Sequence, residues 1–360
     1  MTTIGAPELR SSGTGKVRIP ELDGLRGIAV LLVVLYHFIV PFGPYSNPVA
    51  NALYNVFRIG WTGVDLFFVL SGFLIGGILL DARESSTYFK TFYLRRVFRI
   101  FPLYYLWIGV FFVLLGTLST RDAQQVGILR GGWINVPVFA LYLQNTWKLN
   151  PAMRSPWLAH LWSLAVEEQF YLVIPCLIRF LPRRRLTQLL VAIMFLAPLA
   201  RVTLVSHFPG HQMAQYRFTL CRADALAIGV LLAILWRSKD GLSWIQNHRN
   251  ELSAVFVLLF FGVIGLATFH PGQFGLVSVL GYSCIDLFFA NVLLWTLLVP
   301  RGIWAACCRW PFLTSLGGIS YCVYVIHLAT NVVCHALIGP SNGGISTRLG
   351  LVATIAAAIV

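Results

Sequence analysis

The chain has 360 residues, of which 58% are hydrophobic and only 11% are charged, whereas a soluble domain carries roughly 25% charged residues. A formal net charge of +14 raises the question of nucleic acid, but the basic residues lie between apolar runs and no nucleic-acid motif is present, so nucleic acid is excluded as a partner. The apolar runs recur at roughly 18 to 25 residues, the length that crosses a hydrocarbon core of about 30 Å, which makes the lipid bilayer the expected surroundings.

Residues 1–20 are polar and rich in Gly and Ser, and read as a disordered lead-in. The rest, 21–360, reads as one membrane domain. Spans are predicted near 25–42, 61–80, 100–118, 157–181, 186–205, 218–236, 252–269, 276–299 and 312–338. The first is no cleavable signal peptide, because it lies too far in and has no small-residue cleavage site after it. A run at 134–147 is apolar but short, and a last run that starts near Leu349 reaches Val360 before it can span, so it reads as incomplete. The expected fold class is all-α: a polytopic transmembrane helical bundle of about ten spans plus one short re-entrant or interfacial segment.

Charge sets the expected orientation. Arg179, Arg183, Arg184 and Arg185 form the strongest basic block, and Arg10, Lys16 and Arg18 precede the first span. Both groups lie on the cytoplasmic side only if 134–147 does not cross. The seven cysteines lie in or beside apolar runs without CxxC pairs, and read as small buried residues rather than disulfide partners. His207 and His211 are four apart, but Pro209 and Gly210 between them break a helical pair, and no structural metal is expected.

Ionisable residues inside spans are costly and mark function or a tightly paired core. In LDGLRGIAVLLVVLYHF, Arg26 and His37 are eleven residues apart, about 16 Å of helical rise and close to three turns, hence one face at two depths. Arg26 could meet a phosphate or simply anchor the span; a neutral His37 could act as a base or be a core histidine bonded to a carbonyl. In GVDLFFVLSGFLIGG, Asp65 could orient a histidine or cap the helix, and Ser71 is not in a G-x-S-x-G elbow. In FYLRRVFRIFPLYYL, Arg96 and Arg99 share a face and could clamp a phosphorylated donor or belong to a lipid-headgroup belt. In HLWSLAVEEQFYL, His160, Ser163 and Glu167 fall on one helical stripe, which belongs in a cavity or in a polar network that locks helices. Arg222 lies inside a span, and Tyr324 and His327 in LGGISYCVYVIH are spaced to share a face, with aromatic helix packing as the plainer role.

These stretches, with CRADALAIGV, occur in one order between about Leu22 and His327. Together they resemble the integral-membrane acyltransferase family 3, which includes O-antigen and exopolysaccharide O-acetylases. The resemblance implies an acyl-CoA donor, usually acetyl-CoA, and a carbohydrate or other hydroxyl as acceptor. The family's Arg-x10-His motif falls on Arg26 and His37, its Arg-x-x-Arg motif on Arg96 and Arg99, and the acidic position of its Trp-Ser-Leu segment on Glu167. Many members end in a short polar tail that this sequence lacks, and some carry a fused extracytoplasmic hydrolase-like domain. With none here, a separate extracytoplasmic acyl-handling protein is an expected partner.

The reading is therefore a multi-pass enzyme of the cell's inner (plasma) membrane. Arg26, Arg96 and Arg99 would hold the donor, and His37 would be base or acyl carrier with Asp65 or Glu167 holding its tautomer. His160, Ser163, Arg222, Tyr324 and His327 would line the substrate site. A transporter or flippase for an acylated or anionic solute fits the buried charges too, and a structural membrane subunit is the third reading. The orientation is open to direct test. With single cysteines introduced as Arg184→Cys or Gly272→Cys in a chain lacking the native seven, an impermeant maleimide applied to intact cells should label only position 272. Labelling at 184 would mean that the short run crosses.

Overall fold

The computed structural model describes residues 19–42, 44, 47–118, 136–146, 155–207, 212–267 and 275–342. The polar segment at 1–18 and the apolar run from Leu349 lie outside the described residues. Within them the chain forms helices and no strand: α1 (Pro20–Ile39), α2 (Pro48–Phe57), α3 (Gly63–Asp81), α4 (Tyr88–Thr117), α5 (Val136–Ala140), α6 (Trp162–Phe180), α7 (Arg183–His207) and α8 (Gln212–Arg217). They continue as α9 (Thr219–Trp236), α10 (Lys239–Asn247), α11 (Arg249–Ala267), α12 (Gly275–Leu298), α13 (Ile303–Cys308), α14 (Pro311–Gly318) and α15 (Ser320–Asn342). Among the described residues eight helices are long and apolar enough to cross a membrane. The pair Pro311–Gly318 and Ser320–Val333, bent by 80°, makes a ninth if it is one span. These fall on the nine complete runs predicted above; the tenth belongs to the residues after 342.

Burial separates a centre from a rim. The span that contains α3 is 72% buried over its apolar window and those of α1 and α9 are 61% buried, against 22% for α4 and α7 and 6% for α11. The rim helices turn Phe98, Leu106, Phe195, Leu258 and Phe261 outward, apolar surface suited to lipid. At the centre the helices meet backbone to backbone. A Cβ on Gly24 would lie 1.7 Å from the Cys308 carbonyl oxygen, one on Gly27 2.1 Å from that of Leu313, and one on Gly317 1.8 Å from that of Asp23. Gly72 and Gly229 let α3 and α9 interlock in the same way, with 2.2 and 2.3 Å to the Leu226 and Val69 carbonyl oxygens.

Many arginines of the basic belt tie helix ends. Arg83 donates to the Leu181 carbonyl at 2.9 Å and Arg183 to that of Ile234 at 2.6 Å. Arg237 makes two 2.8 Å bonds to Asp81, and Arg309 bonds Glu21 at 2.6 Å. Carbonyls at helix C-termini have no intrahelical donor, and Arg83 and Arg183 supply one. The first three contacts gather the ends of α3, α6 and α9 on one face of the bundle, and Arg309 ties the start of α1 to the end of α13. With α3 and α6 ending on the same face, the segment between α4 and α6 begins and ends on the opposite one.

That segment holds the short 134–147 run, whose described part does not cross. α5 has five residues, and Tyr142 then takes a left-handed φ of 54° that reverses the chain. The Tyr104 and Tyr105 hydroxyls donate to the Phe139 and Ala140 carbonyls at 2.8 and 2.9 Å, and the Gln169 amide donates to that of Tyr142 at 2.8 Å. The turn's exposed carbonyls are thus met by neighbouring helices, which is the condition for irregular backbone at membrane depth.

The contact of α1 with α13 and α14 makes a sharp prediction. Gly24→Ala or Gly317→Ala drives a methyl into rigid backbone and is expected to cost about 1–3 kcal/mol or more, read as a lower melting temperature in detergent and a smaller folded yield. Gly318→Ala, whose Cβ meets nothing within 4 Å, should leave both unchanged. Equal effects at 24 and 318 would show that the contact is not tight.

Candidate functional site

Three groups of polar side chains stand out in the bundle. The first lines a cleft with about 810 Å³ of empty space, its mouth included, between α1, α3, α4, α6 and α15. Its charged wall residues are Arg26, Arg96, Arg99 and Glu167. Arg26 comes from the second turn of α1, held 3.2 Å from Asp23. Arg96 and Arg99 stand one turn apart on α4. Glu167 accepts a bond from the Tyr171 hydroxyl at 3.3 Å, and Tyr171 lies 2.7 Å from the Ser71 hydroxyl. The Arg96 guanidinium sits 5.6 Å from the centre of the Tyr171 ring, and its Nε is buried with no hydrogen-bond partner among the described residues. Three guanidinium groups against one carboxylate leave the cleft positive. Arg96 also borders a second cleft, with Arg95 and the hydroxyls of Ser85, Thr87 and Thr91.

The second group is built on histidines. His160, Ser163 and Tyr324 are buried, and the Tyr324 hydroxyl lies 2.5 Å from the Ser163 hydroxyl and donates to the His160 carbonyl at 3.1 Å. Ser163 and Tyr324 also line the cleft. Behind them lie three imidazoles, with ring centres 4.7 Å apart for His160 and His327 and 5.0 Å for His327 and His37. His37 Nδ1 is 2.8 Å from the Val33 carbonyl oxygen and 3.3 Å from His327 Nε2. The Asn331 amide donates to the His37 carbonyl at 2.6 Å. His37 itself is not on the cleft wall; Tyr324, which is, has its ring 5.4 Å from that of His327. His160 lies in a 3-10 turn (Ala159–Leu161) before α6 rather than on the predicted helical stripe. That turn leaves Glu167 in the cleft while His160 joins the imidazoles.

The third group lies between α3, α7, α9 and α12 and takes two of the expected site residues away from the histidine. Asp65 is fully buried and ion-paired with Arg222, also fully buried. The Arg222 guanidinium is stacked among Tyr282, Tyr216 and Phe68, at 4.7, 5.5 and 5.7 Å from their ring centres. Arg201 pairs with Asp224 and bonds the Cys221 and Val279 carbonyls at 2.8 and 2.7 Å. Asp286 is fully buried in the same group. A buried charge needs a partner, and Asp65 finds Arg222. Among the described residues the side-chain partner of the His37 ring is His327, and neither Asp65 nor Glu167 reaches it. Asn331 is the contact missed from sequence. It lies four residues after His327, the spacing that shares a helix face.

Among the described residues no three His, Cys, Asp or Glu side chains are arranged to hold a metal ion. The arrangement offers instead a positive cleft for an anionic molecule, a polar bridge at its inner end, and a held imidazole behind the bridge.

Comparison with known proteins identifies the scaffold. Residues 19–360 match the acyltransferase-3 family model, described as an acyltransferase domain. The chain is 28% identical over 323 residues to a Bacillus subtilis (strain 168) protein provisionally named peptidoglycan O-acetyltransferase YrhL, covering 86% of this chain and 48% of that one. It is 29% identical over 343 residues to a provisionally named O-acetyltransferase of Staphylococcus aureus (strain COL), covering 88% of this chain and 51% of that one. It is 33% identical over 235 residues to the O-acetyltransferase OatA of Staphylococcus aureus (strain NCTC 8325 / PS 47), covering 61% and 35%. The chain spans about half the length or less of these curated relatives. No solved structure matches it. With the family model covering all but the first eighteen residues, the chain belongs to the acyltransferase-3 family, whose model is described as an acyltransferase domain.

Proposed function

We propose that the protein moves an acyl group, acetyl in the first instance, from cytoplasmic acyl-CoA to a hydroxyl of a glycan, from a multi-pass position in the plasma membrane. The observation that carries this reading is the cleft walled by Arg26, Arg96 and Arg99, one of whose lining residues, Tyr324, packs on His327, the ring neighbour of His37. Guanidinium groups match phosphate in charge and in hydrogen-bond geometry, as the nucleotide end of coenzyme A requires. The names of the relatives favour acetyl as the group and a cell-wall polymer as the acceptor; peptidoglycan, named for the Bacillus protein, is the first acceptor to try. A separate extracytoplasmic partner that handles the acyl group or presents the acceptor fits the same scheme.

The chemistry balances with the residues at hand. As a base, His37 takes the acceptor's hydroxyl proton while the oxygen attacks the thioester carbonyl. The C–S bond then breaks, and the leaving thiolate recovers that proton from the imidazolium. As a carrier, the His37 nitrogen attacks first and the thiolate of coenzyme A leaves; the hydroxyl oxygen then takes the acyl group from the imidazole as the N–C bond breaks, and its proton passes to the thiolate. Both routes need the thioester to pass the Ser163–Tyr324 bridge, which makes those side chains the ones that meet the reacting end of the donor. Glu167 and Tyr171, in this scheme, orient the donor within the cleft rather than the imidazole.

Two tests separate the parts. Purified protein in detergent, given acetyl-CoA and peptidoglycan glycan strands, should release free thiol and acetylate the glycan. His37→Ala should abolish both while the protein stays folded and binds donor; near-wild-type acetylation would remove His37 from the mechanism. Arg96→Ala or Arg99→Ala should mainly weaken the donor, each losing a charge-assisted bond of about 1.5–3 kcal/mol, roughly ten- to a hundredfold in affinity. Unchanged donor affinity together with disturbed membrane insertion would assign these arginines to a lipid-headgroup belt.

A further inference from the structure

We infer that His327 is the positioning residue for His37: its Nε2 lone pair shares the His37 Nδ1–H with the Val33 carbonyl and orients the ring, leaving His37 Nε2 free to react. The inference rests on the reading of His37 as base or acyl carrier.

The tautomers follow from the acceptors. A carbonyl oxygen can only accept, so His37 Nδ1, 2.8 Å from the Val33 oxygen, carries the proton. The same holds for His327, whose Nδ1 lies 2.6 Å from the Tyr324 oxygen. A neutral His327 then has its lone pair on Nε2, and that atom faces His37 Nδ1 at 3.3 Å. The His37 N–H is thus shared between a backbone oxygen and an imidazole nitrogen, and its Nε2 has no hydrogen-bond partner among the described residues. His160 is fixed in the opposite sense: its Nε2 lies 3.0 Å from the Val325 oxygen, and its buried Nδ1 is unpartnered. It packs on the other side of His327 and closes that ring in. One turn further along α15, Asn331 pins the backbone of His37. A single helix therefore holds both the ring and the main chain of the reactive residue.

The choice of partner has a chemical consequence. When His37 gains a proton or an acyl group on Nε2, its Nδ1–H becomes more acidic and the bond to His327 strengthens. The partner thus stabilises the reacting form more than the resting form, which raises turnover rather than donor binding.

The test compares three substitutions by thiol release from acetyl-CoA with peptidoglycan glycan strands as acceptor. His327→Phe keeps a planar ring but has no nitrogen. It should lower kcat about ten- to a hundredfold, the usual effect of removing an orienting partner, with KM for acetyl-CoA within about twofold of wild type. His327→Gln places an amide oxygen near the position of Nε2 and should restore most of kcat. His327→Asn reaches only the δ position, should behave like Phe, and replaces it if Phe does not fold. A Gln variant as slow as Phe or Asn, or a Phe or Asn variant as fast as wild type, overturns the inference, as does a loss confined to KM. His37→Ala keeps the two readings apart. If that variant remains active, the role of His37 fails. If it is dead while all three His327 variants turn over normally, only the positioning role fails.

Discussion

Two guanidinium groups without access to solvent, Arg201 and Arg222, cross-brace the centre of this bundle through buried ion pairs. Between them they engage α3 through Asp65, α9 through Asp224 and the Cys221 carbonyl, and α12 through Val279 and Ser283. Removing one member of such a pair strands a charge and costs about 3–5 kcal/mol, a large fraction of the stability of any domain. α3 is the wall that carries Ser71 to Tyr171 and Phe67 to Tyr324. The position of the cleft is therefore set by charges that do not touch it.

The same charges show where sequence reasoning reaches and where it stops. Helical spacing is a local property, so Arg96 and Arg99 could be put on one face of α4, and the Arg26–His37 spacing on one face of α1, from the residues alone. The family resemblance brought them together with Glu167, and all but His37 line one cleft. Pairing across helices is not local. Asp65 and Arg222 lie 157 positions apart, and nothing in the pattern around either says that each neutralises the other. An acid near a histidine in a membrane reads as its partner until the arginine is in view. His160 escaped for a related reason, since a 3-10 turn at the start of α6 shifts its side chain off the stripe that a continuous α-helix would draw.

Runs of apolar residues located the helices well because length and hydropathy are what a bilayer demands. The short segment after α4 was legible as non-crossing from its length and from the charge balance. What stops it was not: a tyrosine with positive φ, and the tyrosine and glutamine side chains that meet its carbonyls, are tertiary facts. The basic belt carried two meanings at once. Arg83, Arg183, Arg237 and Arg309 tie helix ends, while Arg26, Arg96 and Arg99 face the cleft, and composition alone does not divide them.

The bend between α14 and α15 gives α1 two moorings on one neighbour. α14 grips the start of α1 through Gly27 and Gly317, beside the end of α13 at Gly24, and after the 80° turn α15 returns to its far end through His327 and Asn331. Helix and bent partner form a braced frame in which the rise from Arg26 to His37, about 16 Å, cannot stretch. On the reading proposed above, α1 is then a ruler. A donor whose phosphates rest on Arg26 presents its reactive carbon to the imidazole only if the arm between them has the matching reach, so a truncated carrier would bind yet fail to react.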